Sequence, residues 1–181
     1  MLIPNPTPTH NVAITGSVFL RVFHWLDQSY GACVLARRAL RQIVEDALRH
    51  FAGERYQLGA STVMPNHVHA LVTPIRQHEV SEILHSWKSF TAVKINRMLG
   101  RTGQFWQKES FDHMVRSAAS LEKFAQYIRE NPANARFQPR NQTKSGWKPL
   151  LLAARLRSTV TGRFAIIGAR LTSHHTACPP R

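Results

Sequence analysis

The residues most able to do chemistry in this chain are two histidines one residue apart, His67-Val68-His69. They fall in an alternating apolar run, 67–74, that reads as a β-strand. Strand side chains alternate with period two, so both imidazoles project from one face. They stand roughly 7 Å apart along the strand, at about 3.4 Å of rise per residue. That spacing lets both rings converge on one metal ion. The plainer alternative is a pair of structural or surface histidines. A second pair is Tyr127 and Asn131, i and i+4 on a predicted helix, and so stacked on one side of it. At ~100° per residue, Tyr127 lies about 110° round from the centre of the Leu121/Phe124/Ala125/Ile128 stripe. It therefore sits at the edge of the buried face, where its hydroxyl can reach a cleft or simply meet solvent. Two histidines, a tyrosine and an amide make a coherent set of metal ligands and a nucleophile.

A third feature is basic and aromatic. Lys94, Arg97 and Arg101 recur along one helix face, Lys88 precedes them, and Phe105, Trp106 and Lys108 follow. Cations that track phosphates, interleaved with rings that stack bases, suit single-stranded nucleic acid. A solvated face of a basic helix is the alternative. Trp87 falls in an apolar stripe and belongs to the core.

These residues need elements to hold them. Residues 12–23 alternate as a strand. Residues 35–51 carry Leu40, Ile43, Val44, Ala47, Leu48 and Phe51 at helical spacing. Residues 55–64 and 67–74 read as two strands turning at Pro65-Asn66, a pair suited to a tight turn. Residues 80–99 form a helix with Val80, Ile83, Leu84, Trp87 and Phe90 as its core stripe. Residues 110–116 form a short strand. Residues 118–131 form a third helix, ended by Pro132 because proline disfavours helical geometry in Asn131. The order β-α-β-β-α-β-α predicts a small α+β sandwich, a mostly antiparallel sheet with helices on one face.

Composition narrows the function. The chain has 181 residues, 24 Lys+Arg against 10 Asp+Glu, and a net charge of +14. Such an imbalance implies an anionic partner, nucleic acid first and a membrane surface second. The apolar run Leu150 to Ala154 is far short of the ~20 residues of a spanning helix, so no membrane partner is expected. The three prolines of MLIPNPTPTH leave no signal-peptide core. The two cysteines, Cys33 and Cys178, form no CxxC pattern, which fits reduced thiols in a cytoplasm. Charge is uneven: nine of the Lys and Arg and none of the acids lie beyond Glu130. A boundary is expected near 138–146, dividing a 1–140 catalytic domain from a basic tail over 141–181.

The runs VMPNHVHALV (63–72), SEILHSWKSFTAVKINRMLGRTGQFWQKESFDHMVR (81–116) and YIRENPANA (127–135) together resemble the REP-associated tyrosine transposases, within the HUH single-tyrosine transposases of bacterial insertion sequences. VEDALRHFAGERYQL (44–58) looks similar to the same family, and the resemblance spans about 12–137. It implies a ferredoxin-like α/β sandwich with His67 and His69 as metal ligands on a central strand. Tyr127 would be the catalytic tyrosine, and Asn131 would complete the metal site. It implies cleavage of single-stranded DNA beside a hairpin, through a 5′-phosphotyrosine that frees a 3′-hydroxyl. The divalent ion would be magnesium or manganese, and imidazole ligands leave room for the latter. Lys88, Lys94, Arg97, Arg101 and Lys108 would contact the DNA. The setting would be a bacterial cytoplasm close to the nucleoid, with a monomer or a homodimer both open. The 138–181 stretch does not resemble the family's usual ending. A hairpin-binding module without cleavage, or an RNA-binding module with structural histidines, remain alternatives.

Overall fold

In the computed structural model the described residues are 32–108, 110–115, 117–134 and 164–172. The predicted strand over 12–23 lies outside them, as do 141–163 and 173–181 of the predicted tail. A 3-10 turn, Val34–Ala36, leads into helix α1, Arg38–His50. Its Leu40, Ile43, Val44, Ala47 and Leu48 are all buried, as their spacing requires. Strands β1 (Tyr56–Val63) and β2 (His67–Pro74) form an antiparallel hairpin. The Pro65-Asn66 turn closes it, with the Met64 N–H donating to the His67 carbonyl at 2.8 Å. Helix α2 (Val80–Met98) follows, opened by a reciprocal capping box between Glu79 and Glu82. Then come β3 (Phe111–Val115) and α3 (Ala118–Asn134). Ser117 caps α3, accepting the Ser120 N–H at 3.1 Å.

The last strand, β4 (Phe164–Arg170), corrects the division at residue 140. It lies within the stretch set apart as a tail, yet it is an inner strand, in the order β1-β2-β4-β3. It pairs antiparallel with β2 on one side and β3 on the other. Strands β2 and β3 therefore run parallel, joined by α2 as a crossover, with β4 filling the slot between them. That is the split β-α-β arrangement of an α+β sandwich with an antiparallel sheet.

Both faces of the sheet are covered, against the expectation of helices on one face. Helices α1 and α2 cover one face, with Val68, Ala70, Val72, Ala165, Ile167, Ala169 and Leu171 beneath them. Helix α3 covers the other, its Leu121, Phe124, Ala125 and Ile128 packing on Ala60, Leu71, Val115 and Ile166. The period-two alternation of β2 and β4 sorts their side chains between these two cores. His67 and His69 belong to the α3 side by the same alternation.

Three local expectations change. Helix α3 runs through Pro132 to Asn134; the missing proline N–H removes one bond near the helix end and leaves the turn intact. Phe90, placed in the α2 core stripe, is 53% exposed. The buried line of α2 is Ile83, Trp87, Thr91 and Ile95, an i, i+4 series that drifts round the helix and leaves Phe90 behind. Phe105 and Trp106, expected to offer rings to bases, are buried instead. Their segment runs along the end of β4, with Trp106 bridged to Leu171 and the Thr172 N–H donating to the Phe105 carbonyl. The Trp106 indole N–H donates to Thr91 Oγ1 at 2.8 Å. Cys33 is disulfide-bonded, which the absence of a CxxC pattern did not anticipate.

Candidate active site

The α3-facing side of β2 carries the site. His67 and His69 are 1% and 0% exposed. Their ring centroids are 4.6 Å apart, closer than the strand rise alone requires, because the rings lean together edge to face. Tyr127 comes down onto them from α3, its ring centroid 6.0 Å from that of His69. Tyr127 is half-buried at the rim of the α3 core, which is where its angle from the apolar stripe puts it. Asn131, one turn further along α3, is buried. The helix and the hairpin thus bring together residues some sixty positions apart in the chain.

Asn66 has a role beyond the tight turn that its residue type suits. It is buried, and its Oδ1 lies 2.7 Å from His67 Nδ1. With the Asn66 amide oxygen assigned as the acceptor, the His67 proton is on Nδ1 and the lone pair on Nε2. A hydrogen bond of this kind fixes both tautomer and ring orientation in a metal-binding histidine. The Asn66 carbonyl also accepts the Leu171 N–H at 3.0 Å, so β4 holds the hairpin tip in place. The only signal in the sequence was an asparagine directly before the first histidine.

The donor set fits a divalent cation of intermediate softness. Two imidazoles on one face, one of them held by Asn66, are nitrogen donors of the kind zinc, iron and copper accept, while amide oxygen and water beside them suit magnesium and manganese. Among the described residues, no group of three or more His, Cys, Asp or Glu side chains could hold a metal ion.

The basic residues divide. Lys88 is turned inward: its ammonium donates to the carbonyls of Gln107 and Lys108 and to Ser110 Oγ, tying α2 to the approach to β3. Lys94 is exposed, with its ammonium 5.4 Å from the centroid of the Phe90 ring. Arg97 and Lys108 are exposed too. Arg101 reaches back to the Gln104 carbonyl and lies 5.8 Å from the Phe105 centroid. Because α2 covers the opposite face of the sheet, the structure does not bring Lys94 and Arg97 to the histidines.

One further cation is on the site's own face. Arg170 is opposite His67 in the β2–β4 register and Gly168 is opposite His69. Arg170 is 7% exposed, and burial pulls its guanidinium below the ordinary arginine value. Among the described residues no helix is long and apolar enough to cross a membrane.

A family model described as "Transposase IS200 like" matches residues 33–131, more than half of the chain. The match runs from the 3-10 turn to Asn131 and so takes in the hairpin, α2 and both residues singled out on α3. No curated protein and no solved structure gives a significant match.

Proposed function

The chain belongs to the IS200-like transposase family, and from that premise we propose that it nicks and rejoins single-stranded DNA beside a hairpin, with Tyr127 as nucleophile. The observation that carries the reading is the cluster itself: two converging imidazoles and a phenol from a separate helix, in ring contact with one of them. Family membership makes DNA the partner; the hairpin, the narrower REP-associated branch and the covalent step are the proposal.

The phenol oxygen of Tyr127 attacks the scissile phosphorus. A P–Oη bond forms and the P–O3′ bond breaks, leaving the 5′ phosphate on tyrosine and a free 3′-hydroxyl. One proton leaves the phenol and one arrives at the departing 3′ oxygen. A free tyrosine has a pKa of about 10 and is a weak nucleophile at neutral pH. His67 and His69, with Asn131 as a third donor, would hold a magnesium or manganese ion, which supplies Lewis-acid charge neutralisation at the phosphate. Asn66 keeps His67 oriented for that task. Helix α3, packed on the sheet through Leu121, Phe124, Ala125 and Ile128, sets where Tyr127 stands. The phosphotyrosine conserves the phosphodiester, so the 3′-hydroxyl of another strand can reverse the step without a nucleotide cofactor. Lys94 and Arg97, with the exposed Phe90 ring beside Lys94, would track DNA flanking the hairpin.

The test uses a hairpin oligonucleotide labelled at its 3′ end, because the tyrosine retains the downstream fragment. Wild-type protein with manganese should give a labelled protein band on a denaturing gel, and Tyr127→Phe should give none. Persistence of the band in Tyr127→Phe would show that another group is the nucleophile. Absence of any band from wild type, with hairpin binding intact, would favour a binding module without cleavage.

A further inference from the structure

We infer that the outer face of helix α2 is a docking surface for a second copy of this chain, the two α2 helices packing antiparallel about a two-fold axis. At ~100° per residue, Glu82, Ser86, Phe90, Val93 and Arg97 fall within an arc of about 80°. Their spacing of four, four, three and four residues makes a seam from the first turn of the helix to its last. The buried line through Ile83, Trp87, Thr91 and Ile95 lies on another side. Glu82 and Arg97 are exposed, and Phe90 and Val93 are 53% and 72% exposed. Single apolar residues scattered over a surface are ordinary. Here two large ones sit one turn apart in the middle of a seam, where a solvated helix face is normally polar.

The order of charges along the seam selects the occupant. Glu82 and Arg97 stand about 11 Å either side of the point midway between Ser89 and Phe90, at ~1.5 Å per residue. A two-fold axis through that point sets Glu82 of each copy against Arg97 of the other. It also sets Val93 against Ser86 and brings the two Phe90 rings side by side at the centre. An isologous contact requires this self-complementarity, whereas parallel pairing would set like charges together. Among the described residues neither Glu82 nor Arg97 is in an ion pair. Glu82 Oε2 accepts the Glu79 N–H at 3.2 Å, and its other oxygen faces no such task. A nucleic-acid strand laid along the seam would meet a carboxylate at one end and gain little from Val93. Of the cations assigned to DNA, Lys94 lies outside the arc, and the axis brings Lys94 of both copies to one flank of the pair. His67 and His69 belong to the opposite face of the sheet, so the contact is remote from both sites and the inference does not depend on the proposed reaction.

The test is sedimentation equilibrium of the full chain without DNA, in about 0.15 M salt. Two helices of this length bury less than the ~800 Å² per partner of a standard interface, so the expected pair is transient, with a Kd between about 10 µM and 1 mM. Phe90→Glu, which sets two carboxylates side by side on the axis, should weaken it about tenfold or more. Glu82→Arg and Arg97→Glu should each weaken it about fivefold, and the two together should restore it to within about threefold of wild type. Arg97→Glu is the discriminating variant. It lowers the +14 charge of the chain, so general repulsion alone would make it associate more tightly. Circular dichroism checks each fold; if Glu82→Arg unfolds by losing its capping box, Arg97→Glu and Phe90→Glu still decide. A monomer mass throughout that concentration range would overturn the inference. So would association in Arg97→Glu as tight as in wild type, or a folded double exchange that fails to recover. A mass that doubles only when DNA is added would overturn it too, by making nucleic acid the occupant of this face.

Discussion

Ending the chain after residue 163 should unfold the protein, although it leaves the histidines, Tyr127 and all of the matched 33–131 in place. Strand β4 supplies Ile166, Ile167 and Leu171 at its end, 0%, 2% and 1% exposed. Ile166 packs under α3, whereas Ile167 and Leu171 pack under α1 and α2, so both cores lose material. At about 1.5–3 kcal/mol for each large apolar side chain, the loss is roughly 4.5–9 kcal/mol. A small domain has about 5–15 kcal/mol in total. The hydrogen bonds of two ladders disappear as well, leaving β2 and β3 with bare edges prone to aggregation. Thermal melts by far-ultraviolet circular dichroism, with gel filtration, read the outcome. Ile167→Asp, which keeps the chain length, should lose about 4 kcal/mol or more by burying a carboxylate. A truncated chain that melts cooperatively within about 5 °C of the full one would refute the reasoning, since for a chain of this size that shift corresponds to only about 1–2.5 kcal/mol.

Asn66→Ala should weaken manganese binding by about 10–100-fold, measured by calorimetry, because His67 loses the bond that fixes its tautomer; unchanged affinity would remove Asn66 from the site. Replacing His67 and His69 together by alanine should abolish the covalent adduct while hairpin affinity stays within a few-fold, and adduct formation in excess EDTA would contradict a metal role. Tyr56→Phe should cost about 1–3 kcal/mol in chemical denaturation, because the Leu48 carbonyl and the Trp87 indole N–H lose their shared hydroxyl partner. The same tyrosine gives a pH signature. Burial raises its pKa above the ordinary 10, so its contribution is full below about pH 10 and is lost as pH rises through the folded value. Tyr56→Phe should flatten the alkaline fall in melting temperature, and an unaltered slope would refute the assignment. Lys94→Gln with Arg97→Gln should reduce the salt dependence of DNA binding by up to about two phosphate contacts' worth of slope, while a slope equal to wild type would show that α2 stays clear of the DNA.

What the sequence made legible was what depends on near neighbours. The imidazole pair follows from period two within three residues, and the rim position of Tyr127 from the angle it makes with four apolar residues of its own helix. Both survive in the structure because neither needs a distant partner to be defined. What escaped depends on pairings far along the chain. Phe164–Arg170 shows no clean alternation because it is an inner strand covered on both faces, and such strands read as nearly unbroken apolar runs. Without β4, nothing in the local pattern says that Trp106 must turn inward to meet Leu171, or that Asn66 has a backbone partner in Leu171. Phe90 and Phe105 exchange roles for the same reason: the exposed ring lies where the α2 stripe drifts off the sheet, and the buried one lies beside a strand some sixty residues away. The excess of cations beyond Glu130 suggested a loosely held basic tail. The structure gives one of them, Arg170, a different meaning, since a charge on an inner strand opposite His67 is held by the sheet rather than by solvent. The boundary at 140 thus rested on composition, and composition cannot distinguish a cation carried on a tail from one built into an inner strand of the sheet.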